Sequence, residues 1–390
     1  MHRTSIASLE DFRKLRPVWD ELLLGMEYPI VFLTWEWIHT WWEHFGDSNR
    51  EPVILIVSDG EKVKGILPLY AERMILRNYW LNGRILSHCS ATELFPDHID
   101  IIAAPDQARE CLRSIVHFLA TEYRDWDVVR IPMVASSSRL LGWLRDDAVA
   151  ELCLDLDVEQ ESVAYYIPIN ATFDEYFDRF DAKQRYNIRS RVKKLYQQHG
   201  VRYATCDGEQ AKCLQRVFAL HRQRATRKGI ASSFVSPRVH AFHEALAARI
   251  LERNWLSVRC LERESEVIAA SYNFEVAGRV FSYQKGFDPQ WERYGPGNVL
   301  IYELIREAFA NRRLEYNFLQ GNEAYKSVWT QDYRTLSSVN IYNDSLLGRA
   351  ARSGYRLKRA LKRRFGRQHV QESSALSPAR VPGRRTDGVG

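Results

Sequence analysis

Two segments of the chain alternate apolar and polar residues, reverse at a turn and alternate again, which predicts two β-hairpins. The first pairs residues 53–58 with 63–70 around the turn Asp59-Gly60. The second pairs residues 256–261 with 267–274 around a charged turn. A period of two residues is typical of half-buried strands, and the recurrence of the same design indicates a duplicated α/β unit.

A strand, a glycine-rich turn and a helix follow the second hairpin. The helix is predicted from apolar residues at three- and four-residue spacing: Leu300, Ile301, Leu304, Ile305, Ala308 and Phe309. The turn before it reads Tyr294-Gly295-Pro296-Gly297-Asn298. Unpaired amides and the helix dipole favour an anion at such a helix start, so the turn is either a phosphate site or an ordinary connection. It matches neither the G-x-x-x-x-G-K-[ST] nor the G-x-G-x-x-G pattern, which argues against nucleotide-triphosphate and dinucleotide folds.

Strands and helices alternate in both halves of the chain, which predicts an α/β (α+β) fold with mixed sheets flanked by helices. A chain of 390 residues is long enough for two domains of roughly 150–200 residues each. We expect an N-terminal lobe at 1–155, a C-terminal lobe at 156–345, and a basic helix with a disordered tail at 346–390.

The positive charge of the chain lies in this tail. From residue 349 to the end there are 12 Lys/Arg and 2 Asp/Glu, so the preceding residues have a net charge of −4 although the whole chain has +6. Residues 349–367 are predicted to form a basic amphipathic helix, which fits an anionic membrane surface or nucleic acid. A solubilising tail is an equal alternative, and residues 371–390 are predicted to be disordered.

Several classes of protein are disfavoured. Six cysteines occur singly without a C-x-x-C pair, which predicts free thiols rather than a disulfide framework or zinc site. His88, His98 and His221 have no ligand-spaced partners and are interpreted as structural, so we expect no metal. Residues 1–21 lack the apolar core of a signal peptide, and no apolar run approaches the roughly 20 residues of a membrane span. We therefore expect a cytoplasmic protein, peripheral at the inner face of the membrane if the tail binds there.

A basic helix is predicted at 181–198. Six cations and no carboxylate lie between Lys183 and Lys194, so this helix either has a solvated face or faces an anion. Earlier, four tryptophans lie between residues 34 and 45 and are interpreted as core rather than as a stacking platform.

Four motifs in the second half resemble one known family. They are Lys183-x-Arg185-x-x-x-Arg189, Val267-Ile268-Ala269-Ala270, Gly286-Phe287-Asp288-Pro289 with the glycine-rich turn, and Asn317-Phe318-Leu319-Gln320-Gly321-x-Glu323-x-Tyr325-Lys326-x-x-Trp329. Together they resemble the cellulose-biosynthesis (CelD/BcsL-type) acetyltransferases of the GNAT superfamily, which are related to the FemAB peptidoglycan aminoacyltransferases. The resemblance covers roughly residues 160–335. The family usually has Asp where Asn317 stands and Arg where Gln320 stands.

The resemblance implies two tandem GNAT-like lobes and an acyl-CoA-dependent N- or O-acyltransferase acting in polysaccharide or cell-envelope biosynthesis. Acetyl-CoA or another acyl-CoA would be the co-substrate, and the acceptor a small molecule or glycan precursor. The implied cofactor-binding residues are Gln284, Lys285, Gly286, Tyr294, Gly295, Pro296, Gly297 and Asn298. The implied catalytic residues are Glu323 as the base, Lys326 as a cation for substrate or transition-state charge, and Tyr325 as a donor to the leaving thiolate. The implied substrate-binding residues are Arg185, Arg189, Asn317 and Gln320.

Each role has a structural alternative. Glu323 is equally well interpreted as a surface carboxylate, Lys326 as a solvated lysine, and Tyr325 as a packing residue. Two other functions stay open: a FemAB-like transferase using aminoacyl-tRNA, and a non-catalytic scaffold in a glycan-synthesis complex. A long inserted coiled-coil arm, expected for the tRNA-using relatives, is not visible in the sequence, so nucleic acid is the less favoured partner. The oligomeric state is not predicted.

Overall fold

The computed structural model describes residues 2–76, 81–89, 94–146, 154–205, 210–227, 229, 233–264 and 266–374. Its strands are β1 (His2–Ala7), β2 (Arg50–Asp59), β3 (Lys62–Leu76), β4 (Leu81–His88), β5 (Ile102–Ala103), β6 (Val128–Ala135), β7 (Asp155–Pro168), β8 (Arg202–Thr205), β9 (Leu256–Arg263), β10 (Glu266–Val276), β11 (Arg279–Phe287), β12 (Glu315–Gln320) and β13 (Tyr333–Tyr342).

Helices flank these strands. They are α1 (Leu9–Lys14), α2 (Arg16–Leu24), α3 (Trp35–Phe45), α4 (Ala108–Thr121), α5 (Arg139–Asp146), α6 (Phe173–Phe177), α7 (Ala182–Lys193), α8 (Gln210–Arg227), α9 (Pro237–Leu251), α10 (Pro296–Ala310), α11 (Lys326–Trp329) and α12 (Leu346–Ser374). The predicted basic helix corresponds to α7, where Asp181 and Gln184 form a reciprocal capping box, followed by a π-helical turn at Lys194–Gln198.

The described strands form one continuous sheet whose order is symmetric about its middle. The order is β1-β2-β3-β4-β6-β13-β7-β12-β11-β10-β9-β8, with β5 paired to β3. The predicted hairpins, β2–β3 and β9–β10, occupy equivalent places in the two halves, and each half contains one parallel pair, β4 with β6 and β11 with β12. The prediction of a mixed α/β fold with two tandem lobes is confirmed.

The last strand belongs to the first half of the sheet. β13 follows β12 in the chain but lies between β6 and β7, antiparallel to both. The N-terminal half is therefore completed by residues more than 300 positions from its first strand, a pairing that local sequence patterns do not encode. The predicted lobe boundaries at 155/156 and 345/346 stay a prediction, because the sheet runs unbroken between the halves.

Aromatic packing joins the two lobes on one face. Trp37 and Trp41 of α3 are fully buried, and the Trp37 ring lies 5.1 Å from that of Phe242 on α9. The interpretation of the tryptophan cluster as core is thus confirmed. Such rings contribute large apolar areas, and their edge-to-face contacts fix how the helices pack.

The C-terminal helix and the cysteines complete the description. α12 begins at Leu346 and continues to Ser374, so it includes the first residues predicted to be disordered, whereas residues 375–390 lie outside the described part of the chain. Within the described ranges, no helix combines the length and apolar character that crossing a membrane requires. Cys89, Cys111 and Cys260 are free and buried, but Cys213 is disulfide-bonded, so the prediction of free thiols was wrong for that residue.

Candidate active site

Two neighbouring parallel strands lose their pairing in the second lobe. β11 and β12 are paired from Arg279 to Phe281 and from Glu315 to Asn317, although they continue to Phe287 and Gln320. β11 stays paired with β10 up to Phe287, so β12 is the strand that leaves it. Beyond Phe281, the backbone groups of β11 that face away from β10 thus lose their strand partner. At the end of β12, the amides of Leu319 and Gln320 donate instead to the side chains of Asn317 and Asp97, and the two carbonyls accept from Lys326.

Helix α10 begins beside the end of β11. Gly295 precedes the helix in the left-handed conformation, with φ 65° and ψ 47°, which residues with a Cβ rarely adopt. Its amide donates to the carbonyl of Glu292 at 2.9 Å, and the amide of Asn298 donates to the carbonyl of Gly295 at 3.1 Å. Pro296 has no amide hydrogen. Among the described residues of this turn, Gly297 thus has a backbone amide without an acceptor. That free N–H lies at the positive end of the helix dipole, so both favour an anion there.

A cavity of about 270 Å³ opens at this helix start. It is lined by Arg191, Lys285, Gly286, Phe287, Glu292, Arg293, Gly295, Pro296, Gly297, Asn298, Leu300, Ile301 and Tyr325. Six of the eight predicted cofactor-binding residues therefore line one space. Gln284 and Tyr294 do not, and the Tyr294 ring instead lies 4.4 Å from the ring of His199.

The charges around the cavity favour an anion. Arg191, Lys285 and Arg293 line it, against the single carboxylate of Glu292, which is paired with Arg227 at 3.0 Å. Arg191 lies directly over the turn, since a Cβ placed on Gly295 would be 3.1 Å from the Arg191 Cδ. Sequence reasoning missed Arg191. The sequence showed that Arg191 belongs to a basic helix, but which cations of that helix face the cavity depends on how the helix packs in the fold.

The two arginines predicted from that helix have other contacts. The Arg185 guanidinium donates to the carbonyls of Asp178 (2.8 Å) and Phe180, where α6 ends. The Arg189 guanidinium lies 5.3 Å from the ring centroid of Phe177. Neither lines the cavity, so the structure gives both a packing role and leaves their substrate-binding role a prediction.

Lys326 is buried beneath the end of β12. Its side chain is 2% exposed, and its ammonium donates to the carbonyls of Leu319 at 3.1 Å and Gln320 at 2.6 Å and to Glu323 at 2.9 Å. Burial lowers the pKa of Lys326 although Glu323 opposes the shift. The alternative of a solvated lysine was therefore wrong, because the ammonium holds together the turn that ends the strand.

Glu323 and Tyr325 differ in their surroundings. Burial would raise the pKa of Glu323, but the Lys326 ammonium outweighs it and lowers that pKa. A carboxylate with a lowered pKa is a weaker base. Tyr325 lines the cavity, and its ring centroid is 5.5 Å from the Lys285 ammonium. Gly321 has φ 122°, and a Cβ there would lie 2.3 Å from the Glu323 carboxylate, so the turn requires glycine.

Asn317 and Gln320 connect β12 to the first lobe. The Asn317 side chain is fully buried; its amide group donates to the Tyr28 hydroxyl at 2.9 Å and its oxygen accepts from the Leu319 amide at 2.7 Å. The Gln320 side chain donates to the carbonyl of Phe95 at 2.6 Å. Neither lines the cavity at α10. Their predicted substrate-binding roles are not tested by these contacts, which are structural.

A second cavity, of about 260 Å³, lies between the lobes and was not predicted. Tyr28, Arg279, Glu315 and Arg334 are among the residues that line it. Arg334 and Glu315 form a buried ion pair at 2.6 Å. These residues come from distant segments, so no local motif marks them. In the described part of the chain, no cluster of three His, Cys, Asp or Glu could hold a metal ion.

All the residues that line the first cavity, from Arg191 to Tyr325, lie within one stretch of the sequence that matches a family model. Residues 182–327 match the acetyltransferase (GNAT) domain model. This GNAT region includes Arg191, the glycine-rich turn, Glu323, Tyr325 and Lys326. Among curated proteins, none has a sequence that matches this chain.

Solved structures show the same fold over most of the chain. A crystal structure of FemX has a TM-score of 0.61 at 10% identity, covering 86% of this chain and 96% of that one. A conserved protein of unknown function from Bacteroides thetaiotaomicron VPI-5482 has a TM-score of 0.52 at 10% identity, covering 88% of this chain and 100% of that one. At such low identity the likeness concerns the fold, and the GNAT region supplies the second lobe of it.

Proposed function

We propose that this chain is an acyltransferase that takes an acyl group from acyl-CoA and transfers it directly to an amine or hydroxyl of an acceptor. The observation that carries the proposal is the cationic cavity at the start of α10, which lies within the GNAT region and extends to Tyr325. An acyl-CoA supplies an activated thioester and an anionic diphosphate, and this cavity has groups suited to both.

The diphosphate is assigned to the turn before α10. The amide of Gly297 and the helix dipole supply fixed positive charge, and Arg191, Lys285 and Arg293 add three cations. Arg191 is the cation held against the turn, by its contact with Gly295. Because Arg presents several N–H donors in a plane, it is suited to binding phosphate oxygens.

The reacting end is assigned to the gap between β11 and β12. We assign one backbone amide of β11, at Lys285 or Gly286, to stabilise negative charge that develops on a carbonyl oxygen, as in an oxyanion hole. Tyr325 on the cavity wall is the proposed proton donor to the leaving thiolate. We assign Lys326 as a positioning residue, since it fixes the carbonyls of Leu319 and Gln320 at the end of β12.

Glu323 does not suit the role of general base that the resemblance implies. Glu323 accepts from Lys326, and its lowered pKa makes it poorly suited to removing a proton near neutral pH. We therefore propose that Glu323 fixes Lys326 rather than acting on the acceptor, and that the proton lost by the acceptor amine or hydroxyl passes to solvent water. The resemblance to the CelD/BcsL-type enzymes supports an acceptor from polysaccharide or cell-envelope biosynthesis, and the cavity between the lobes is the proposed place for it.

Calorimetric titration with CoA, acetyl-CoA, longer acyl-CoAs and charged tRNA tests the proposal. The unaltered chain is expected to bind CoA thioesters. Arg191→Gln removes one charge-assisted contact and is expected to weaken binding by about ten- to a hundredfold. Arg189→Gln is the matched control: it lies on the same helix and changes the same charge, but outside the cavity, and should bind like the unaltered chain. Indifference to every CoA species, or equal effects of the two substitutions, contradicts the assignment.

A further inference from the structure

The C-terminal helix α12 is fixed to the sheet by its polar side. The first residues of β7 supply three acids, and α12 supplies a partner for each. Arg352 pairs with Asp155. The Arg356 Nε lies 3.1 Å from Asp157, and the Tyr355 hydroxyl donates to Glu159. These contacts settle which side of α12 faces the protein.

The opposite side of α12 exposes leucines. Leu346 is 81% exposed, Leu357 62% and Leu361 45%. At 3.6 residues per turn, these three positions fall within an arc of about 60° on the helix. Exposed Ala350 and Ser353 lie within or beside the same arc. Because an aligned row of exposed leucines is unfavourable in water, such a row indicates contact with an apolar partner.

Cations border the leucine row on both sides. On one side the Arg349 side chain is 61% exposed, with its Nε 3.6 Å from the exposed carboxylate of Asp344, and on the other side Lys358 is exposed. Residues 349–367 contain nine Lys/Arg and no acid. An apolar row with basic borders, on a helix anchored through its other side, matches the pattern of helices that lie in a membrane interface.

We propose that the leucine face of α12 docks this protein on an anionic phospholipid surface. The leucines would enter the boundary between headgroups and acyl chains, while Arg349 and Lys358 meet lipid phosphates. Nucleic-acid phosphates would bind the cations of this face, but nucleic acid offers no apolar layer for the three exposed leucines. Docking is independent of the acyltransferase proposal, since no residue of the cavity at α10 takes part.

Co-sedimentation of the full chain with vesicles tests this docking. We expect binding to vesicles of phosphatidylcholine and phosphatidylglycerol, little binding to phosphatidylcholine alone, and weaker binding as salt rises. The Leu357→Ser/Leu361→Ser chain removes apolar contact without changing charge and should bind at least about tenfold more weakly. The Arg349→Gln/Lys358→Gln chain removes two cations and should bind about ten- to thirtyfold more weakly.

A matched control removes two exposed leucines elsewhere. Leu24, on α2, is 52% exposed and Leu251, on α9, is 42% exposed, so Leu24→Ser/Leu251→Ser makes the same chemical change off the docking face. This control should bind like the unaltered chain, and a thermal melt of each variant checks folding. Binding that is insensitive to the α12 leucines, or equally strong on tRNA and on anionic vesicles, overturns the proposal.

Discussion

Replacing Lys326 by Met separates a positioning role from a direct role in chemistry. Met approximates the length of the lysine side chain but removes the ammonium, so the carbonyls of Leu319 and Gln320 lose donors at 3.1 and 2.6 Å. The Glu323 carboxylate also loses its partner, yet its side chain is 57% exposed and can be hydrated. The stabilisation that Lys326→Met removes therefore comes mainly from the hydrogen bonds to the carbonyls of Leu319 and Gln320.

The magnitude follows from these contacts. A hydrogen bond from a charged donor contributes about 1.5–3 kcal/mol, and a buried acceptor left unpaired costs about 1–3 kcal/mol. The lysine ammonium itself is costly to bury, which offsets part of the loss. We expect Lys326→Met to lower the free energy of unfolding by about 3 kcal/mol.

Urea unfolding followed by circular dichroism measures this change, and Lys285→Met is the matched control. Lys285 lines the cavity and donates to the Ser282 hydroxyl at 2.9 Å, so its loss should affect cofactor binding far more than stability. A change below about 1 kcal/mol for Lys326→Met, with acyl transfer abolished, would refute the positioning role and favour direct participation.

Two further predictions concern titrating groups. Glu323→Gln should lower kcat by less than about tenfold, whereas loss of a general base costs roughly 10²–10⁴-fold; release of free CoA, followed with a thiol reagent, decides between these. His243 is fully buried, which lowers its pKa from 6.5 to about 3. Below about pH 6.5 the unfolded chain therefore binds a proton at His243, whereas the folded chain does not. The free energy of unfolding thus decreases as pH falls, by about 2 kcal/mol between pH 7 and pH 5 for this residue. His243→Phe should reduce the measured loss in urea titrations by that amount, and equal losses in both chains would contradict the reasoning.

Much of the fold follows from local patterns in the sequence. Local periodicity predicted the hairpins β2–β3 and β9–β10 and the helix α10, because the apolar pattern of each lies within one short continuous segment of the chain. The glycine-rich turn was predicted for the same reason, and Gly295 takes the left-handed conformation that such a turn requires. The place of β13 beside β6 could not be predicted, because it depends on pairing between residues far apart in the chain.

The candidate site was predicted less completely. The residues of the turn before α10 do line a cavity, but which cation of α7 faces it depends on how that helix packs, and Arg191 rather than Arg185 or Arg189 does so. Burial of Lys326 was missed because its acceptors are backbone carbonyls, which leave no signature in a sequence. The hydrogen bond between Asn317 and Tyr28 joins residues of different lobes. It was missed because, like the pairing of β13, it depends on residues far apart in the chain.

A crystal structure of this chain grown with acetyl-CoA tests the central claim most directly. The account predicts electron density in the cavity at the start of α10, with the diphosphate within hydrogen-bonding distance of the Gly297 amide and the Arg191 guanidinium. It also predicts the thioester in the gap between β11 and β12, near Tyr325. Density for acetyl-CoA in the cavity between the lobes, with the turn before α10 left empty, would contradict it.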